Sequence, residues 1–350
     1  MATNKEIFLS ILKNEKPLGM TGAFAAFPDG AAVFGPGGAE RLFHAIIDPI
    51  SNWDILQFSG ERYLDNWGVT HRYILGVDPG IVPLTDDSNK VIKDITKWRD
   101  YVKFPEIPKD LDWSACRNHV KEMQDAGYLT MIPSFRGLFE RLHSLETFED
   151  VLIDMYEEPE AVNEFFEAYT DWKLEVFTQI LDNVPNVDMI HSHDDLGSLQ
   201  SMFFSPDKFR ELLKPHYKRL YDFVHSRGVL VQHHCDCYVE PIVLDFAEMG
   251  VDMWQGALPT NDIVKLQKQL DEKGYNLMML GGIDQTLVDR EDVTDEAIRG
   301  EIHRAIDTYA PGGHFMPCIG SITCLHDHAT EVCEDEMVKY GTEWYAKNYK

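Results

Sequence analysis

The sequence predicts an α/β fold, a (β/α)8 barrel of the TIM type, as a single domain over residues 1–350. Three observations predict it. The second half alternates strand and helix with few interruptions, which demands parallel strands joined by helical crossovers. The number of such units suits a barrel better than a doubly wound sheet. The residues with chemical potential fall at the C-terminal strand ends, where barrels of this kind carry their chemistry.

The elements run as follows. Residues 128–133 and 187–191 are short apolar runs expected as buried strands. Ser205-Pro206-Asp207 opens a helix, with Ser as N-cap, Pro in the first turn and Asp against the positive dipole end. Phe209, Leu212, Leu213, Tyr217, Leu220 and Val224 follow at close to a 3.6-residue period, and Gly228 stops the helix. Strand 229–233 comes next. A helix through Ile242, Leu244, Phe246 and Met249 closes at Gly250. Strand 251–254, a helix from Asp262 to Lys273 and strand 276–280 follow. That strand runs into Gly281-Gly282-Ile283-Asp284. Thr294 caps a helix with Ile298, Ile302, Ala305, Ile306 and Tyr309 on one face. Pro311-Gly312-Gly313 ends it, and strand 314–317 leads to Cys318.

The first 110 residues or so are less regular and rich in aromatics, Pro and Gly. They include Phe24, Phe27-Pro28-Asp29-Gly30, Phe34, Trp53, Tyr63 and Trp67. They are expected to form the first barrel elements and an extension covering the barrel mouth. Gly35-Pro36-Gly37-Gly38 lacks the GxGxxG spacing and a flanking βαβ unit, so it is a turn rather than a nucleotide fingerprint.

Composition removes several classes of function. A formal charge of -27 argues against nucleic acid, whose phosphates need a basic surface. No apolar run is long enough to span a membrane. The start lacks a basic region followed by an apolar core, so a cytoplasmic location is expected. Of six cysteines, five lie after residue 230, and in a cytosolic protein such a cluster points to metal or catalysis rather than disulfides.

Val231-Gln232-His233-His234-Cys235-Asp236-Cys237 and His314-Phe315-Met316-Pro317-Cys318 gather imidazoles and thiols at two strand ends, a donor set that zinc prefers. His233 and Cys235 are two apart and face the same way on an extended strand, with His234 on the other side. Cys318 could complete a three-ligand site with an open fourth position, the arrangement of a catalytic zinc. His234, Cys237 and Cys324 are close competitors. His191-Ser192-His193-Asp194-Asp195 puts two carboxylates at another strand end, and one functional carboxylate is expected of Asp194 and Asp195, the other capping the next turn. Asp284 either points into the pocket or bonds neighbouring loop amides. His326-Asp327-His328 is expected as a surface cluster at a helix start rather than a second metal site.

Taken together, several motifs make the chain resemble the uroporphyrinogen decarboxylase superfamily of (β/α)8 barrels. They are His191-Ser192-His193-Asp194-Asp195-Leu196-Gly197, Ser205-Pro206 with Lys214-Pro215, His233-His234-Cys235-Asp236, Gly250-Val251-Asp252, Gly281-Gly282-Ile283-Asp284 and Pro311-Gly312-Gly313. The chain has no segment of the Arg-Gln-Ala-Gly-Arg type, which the true decarboxylase uses to bind propionates. It is more similar to the methylcobamide-dependent methyltransferases, whose zinc is held by a His-x-Cys pair and a distant Cys. His233, Cys235 and Cys318 match that pattern, although Asp236-Cys237 stands where the family has glycine after the first Cys.

The resemblance implies zinc-dependent methyl transfer between a small molecule and the cobalt of a corrinoid carried on a partner protein. It implies a carboxylate, Asp194 or Asp195, that manages the proton, and it leaves a homodimer open. A methoxylated aromatic is the expected donor, making the reaction an O-demethylation. The alternative is a decarboxylase-type lyase acting on a carboxylated ring compound.

Overall fold

A computed structural model describes residues 2–15, 17–21, 25–26, 43–45, 62–73, 81–319 and 327–348. Phe24, Phe27-Pro28-Asp29-Gly30, Gly35-Pro36-Gly37-Gly38, Trp53, Cys324 and His326 lie outside the described residues. The described strands are β1 (Ala25–Ala26), β2 (Phe43–Ala45), β3 (Arg62–Leu64), β4 (Thr70–Tyr73), β5 (Ile81–Pro83) and β6 (Leu129–Ser134). They continue with β7 (Met189–His193), β8 (Leu230–His234), β9 (Met253–Ala257), β10 (Met278–Gly282) and β11 (Phe315–Cys318).

Eight strands form one parallel sheet in the order β1-β2-β6-β7-β8-β9-β10-β11. Apart from the inserted meander β3–β5, this is the order of the chain itself. A doubly wound sheet reverses its order at a switch point, so the sequential order is that of the TIM-type fold. No ladder joins β11 to β1 among the described residues. None of the described helices is long and apolar enough to cross a membrane.

The pleat sorts the side chains into two apolar clusters. Leu129, Met131, Met189, Met253, Met278, Leu280, Met316 and Cys318 share the inner face. Their alternates Ile132, Ile190, Val231, Trp254, Met279 and Phe315 face the helices, against Leu142, Phe166, Tyr221, Phe246, Leu266 and Ile302. Five methionines on the inner face suit an irregular interior, because the unbranched thioether fills gaps that branched chains leave.

The N-terminal region divides between the two ends of the sheet. Helix Asn4–Leu12, opened by a Thr3–Glu6 capping box, brings Phe8, Ile11 and Leu12 into the inner cluster. Lys5 Nζ pairs with Asp188 just before β7 at 2.6 Å, and His314 Nδ1, just before β11, lies 3.0 Å from the Leu12 carbonyl. This helix therefore closes the N-terminal strand ends. The antiparallel meander β3–β5 is the described part that lies at the mouth end. Asp65 in its first turn accepts the Trp67 and Val69 amides at 2.9 and 2.8 Å and pairs with His71 at 2.8 Å. His71 in turn contacts Arg136, two residues beyond β6, at 3.2 Å.

The helix expected from Ser205 to Gly228 forms in three pieces. Ser205 caps Pro206–Lys208, residues Phe209–Leu213 make a π-helical turn, and Lys214–Ser226 is α-helical. Pro215 has no amide hydrogen to donate to the preceding turn, and the wider turn absorbs that missing bond.

One buried acid gives the fold a pH dependence. Glu146 follows helix Leu138–Leu145, is 2% exposed, and its Oε2 has no hydrogen-bond partner among the described residues. Burial pushes its pKa from 4.5 to about 9, with Asp154 and Asp150 adding to the rise and Lys90 opposing it. A raised carboxyl pKa means the neutral form is favoured on folding. Its contribution is fully present below 4.5 and is lost as pH rises toward 9. Glu146→Gln, which keeps the shape without the ionisation, is expected to melt higher than the parent at pH 8.5, on the order of 2 °C or more. That advantage is expected to shrink at pH 5, as thermal melts at both pH values would read.

Candidate active site

The site is built where β7 and β8 end. On β7, Met189, His191 and His193 alternate with Ile190 and Ser192. On β8, Leu230, Gln232 and His234 alternate with Val231 and His233. Parallel register sets His193 beside His234 and His191 beside Gln232. The inner face thus changes from methionine and leucine at its N-terminal end to histidine and glutamine at its C-terminal end. His191 Nδ1 bonds Gln232 Oε1 at 2.6 Å. The rings of His193 and His234 stack with centroids 4.2 Å apart and planes 17° from parallel.

Both stacked rings are held from behind. His193 Nδ1 lies 2.9 and 3.0 Å from the two oxygens of Glu140, in the first turn of helix Leu138–Leu145. His234 Nδ1 bonds Oε1 of Gln255 on β9. Asp195 faces the pair, with its Oδ1 3.8 Å from His234 Nε2 and accepting the Asp236 amide at 3.2 Å. One donor atom each from His193, Asp195 and His234 lies within 4.8 Å of the others. Phe135, next after β6, forms an aromatic wall with its ring centroid 5.6 Å from His191 and 5.9 Å from His193.

The electrostatics follow from acids packed close to one imidazole. Burial alone would lower the pKa of His193, but Glu140, Asp195 and Asp236 reverse this and raise it to about 10. Burial would raise Glu140, and the His193 charge overrides it and holds that carboxyl low, at about 2. The remaining imidazoles stay neutral. Burial, then the His193 charge, lowers His234 to about 4, and burial, then His234 and His193, lowers His191 to about 3. The site therefore carries a half-buried cation between carboxylates. A proton on His193 Nε2 and a metal ion there would compete for one lone pair.

Asp194 and Asp195 have separate environments. Asp194 is fully buried and points away to the start of helix Leu138–Leu145. It accepts the Phe139 and Glu140 amides at 3.1 and 2.8 Å and the Tyr217 hydroxyl at 2.5 Å, while Tyr217 accepts the Leu138 amide at 3.0 Å. Gly137 makes room for this: a Cβ there would sit 2.2 Å from Tyr217 Oη and 2.3 Å from Asp194 Cβ. Burial, then the negative Glu140, raises Asp194 to about 7. Asp194 is thus the capping member of the pair, and Asp195 the member that faces the site. Asp284 accepts the Thr286 amide and hydroxyl at 3.0 and 2.7 Å, capping helix Gln285–Val288.

The three ligands expected for zinc do not converge. His233 faces the helices, bonded through Nδ1 to Tyr221 Oη at 2.8 Å and packed on Phe246 and Tyr217, with centroids 4.9 and 5.3 Å away. Its Nε2 has no hydrogen-bond partner among the described residues, and it belongs to no described group of three metal-binding side chains. Cys318 is on the inner face, 3.9 Å from Gln255 Nε2. Burial pushes its thiol up to about 12. Cys235 has left the strand, and its Sγ lies 3.1 Å from that of Cys237. Asp195, Cys235 and Cys237 form a second group of potential ligands, enclosed in apolar packing. His328 is exposed on helix Asp327–Asn348 and pairs with Asp295 at 2.9 Å, as a surface cluster would.

Glu140, Gln255 and Tyr217 are partners the sequence did not single out, because each reaches the site from a separate element. Asp194→Ala is expected to destabilise the chain by about 2 kcal/mol in urea denaturation, since it leaves two helix-start amides and a buried hydroxyl unpaired. An unchanged midpoint would remove the capping role.

The comparisons with known proteins agree with this architecture. The methyltransferase from Methanosarcina mazei has a similar structure with a TM-score of 0.58, over 97% of this chain and 99% of that one, at 13% sequence identity. At that identity the likeness speaks for the fold. A xylanase B from Clostridium stercorarium F9 matches at a TM-score of 0.32 and 11% identity, over 60% of this chain and 72% of that one, and carries no argument. No curated protein matches the chain at a significant level. The family model for uroporphyrinogen decarboxylase (URO-D) matches residues 138–319, more than half the chain, from the helix that carries Glu140 to the end of β11. The chain belongs to the uroporphyrinogen decarboxylase family.

Proposed function

We propose that the chain is a methyltransferase that moves a methyl group between a small molecule and the cobalt of a corrinoid carried on a separate protein. A bound zinc would assist the transfer, and a methoxylated aromatic is the leading donor. The observation that carries the reading is the cluster of His193, Asp195 and His234 at the inner strand ends. It sits at the mouth of a family barrel that is similar over nearly its whole length to a methyltransferase.

In this reading the methyl–oxygen bond breaks with its electron pair staying on oxygen, and the methyl passes to cobalt in its Co(I) state. Zinc supplies Lewis acidity to the leaving oxygen when bound. The chain's own residues do the rest. Phe135, against His191 and His193, offers a flat apolar wall for an aromatic ring. Glu140 and Asp195 make the pocket a host for positive charge. Gln255 and Glu140 hold the two stacked imidazoles in one orientation, so that little reorganisation is needed at the moment of transfer. The mouth would bring donor and corrinoid together, which would supply much of the rate.

The test uses the purified chain with chemically reduced cobalamin and a panel of methoxylated phenols and benzoates. Conversion of the Co(I) spectrum to that of methylcobalamin is expected with at least one donor. Gln255→Leu, which frees the back of the His234 ring, is expected to slow the reaction about 10–100-fold. Absence of transfer from O-, N- and S-methyl donors, together with release of carbon dioxide from carboxylated ring compounds, would replace this reading with the lyase.

A further inference from the structure

Resting on the reading above, we infer that the metal of this chain is held by nitrogen and oxygen, through Nε2 of His193, Nε2 of His234 and a carboxylate oxygen of Asp195, and not by thiolates. This is a different site from the one that the His-x-Cys and distant Cys pattern implies. His233 belongs to the helix side of the sheet, where Tyr221, Tyr217 and Phe246 hold it. Bringing it to Cys318 would require turning β8 over, which moves every side chain of the strand to the opposite face.

The positive case has three parts. First, one donor atom from each of the three groups already lies within 4.8 Å of the others, and His234 Nε2 stands 3.8 Å from the Asp195 carboxylate, so side-chain movement would bring the three to one ion. Second, each imidazole uses its Nδ1 on a fixed acceptor, Glu140 for His193 and Gln255 for His234. Metal-binding histidines are oriented in this way: the far nitrogen donates to a carboxylate or carbonyl, which fixes the tautomer and turns the near nitrogen to the ion. Third, the cluster is open. The side chains of His193 and Asp195 are 19% and 35% exposed, while His234 behind them is 5% exposed. Two histidines and one carboxylate with an accessible fourth position is a donor set known for catalytic zinc.

The neighbouring group of Asp195, Cys235 and Cys237 shares the carboxylate but not the opening. Its thiols are 0% and 2% exposed and lie against each other. Both thiols are turned into apolar packing, so a site there gives a substrate oxygen less access than the imidazole cluster does.

Cobalt(II), a coloured stand-in for zinc, separates the two ligand sets. The metal-free full chain is titrated with Co(II) and read by absorption. One equivalent with visible d–d bands and no thiolate-to-cobalt charge-transfer band in the near ultraviolet is expected. His193→Gln and His234→Gln are each expected to weaken Co(II) binding at least tenfold, with circular dichroism confirming that they fold. Cys318→Ser and His233→Gln are expected to bind Co(II) as the parent does. A charge-transfer band that disappears in Cys235→Ser or Cys318→Ser would overturn the assignment while leaving a metal-dependent methyltransferase intact. Methyl transfer by protein that binds no Co(II) or zinc would overturn it and keep the transfer reading alone.

Discussion

The two-residue period of β7 and β8 is the constraint on which the rest of the site depends. It places Met189, His191 and His193 on one side of the sheet and Ile190 and Ser192 on the other, with Gln232 and His234 paired to the first set. The helix side is committed. Ile190 and Val231 are fully buried against the helices, and burying each stabilises the fold by about 1.5–3 kcal/mol. Tyr221 bonds both Ser192 and His233 there. A strand so anchored cannot exchange its faces, so the imidazoles available to a ligand are those of the inner parity.

Charge then distinguishes groups that look alike in the chain. Asp194 and Asp195 are neighbours, yet one spends its oxygens on two helix-start amides and a tyrosine hydroxyl while the other meets the stacked histidines. Three adjacent histidine environments differ as sharply. His193 has Glu140 behind it and keeps a positive charge, whereas His191 and His234, buried beside that charge, are kept neutral. One helix start accounts for much of this. It fixes Asp194 through its amides and carries Glu140 into contact with His193, so the capping of helix Leu138–Leu145 and the electrostatics of the site are one arrangement.

Much of the architecture was legible in the chain. Regular alternation of apolar runs with capped helices located β6 to β11 within a few residues, and Ser205, Asp262 and Thr294 cap their helices as their positions require. The strand ends that bear chemistry were legible for the same reason. The inward face of β8 was not. His233 and Cys235 share a parity, which the sequence shows, but which parity faces the interior depends on what the helices present. A local signal existed: Gln232 and His234 are the polar alternates, while His233 shares its side with Val229 and Val231. Glu140 and Gln255 carried no such signal, because their contact with the histidines is made by tertiary packing alone. The place of helix Asn4–Leu12 was hidden likewise, since an apolar helix face fits either end of a barrel.

The most direct measurement is zinc K-edge X-ray absorption on the zinc-loaded protein, because it reports the atoms around the ion without any substrate. The account predicts a single shell of nitrogen and oxygen at about 2.0–2.1 Å. A sulfur shell at about 2.3 Å would contradict it, and would place the ion on thiols rather than on the inner imidazoles of β7 and β8.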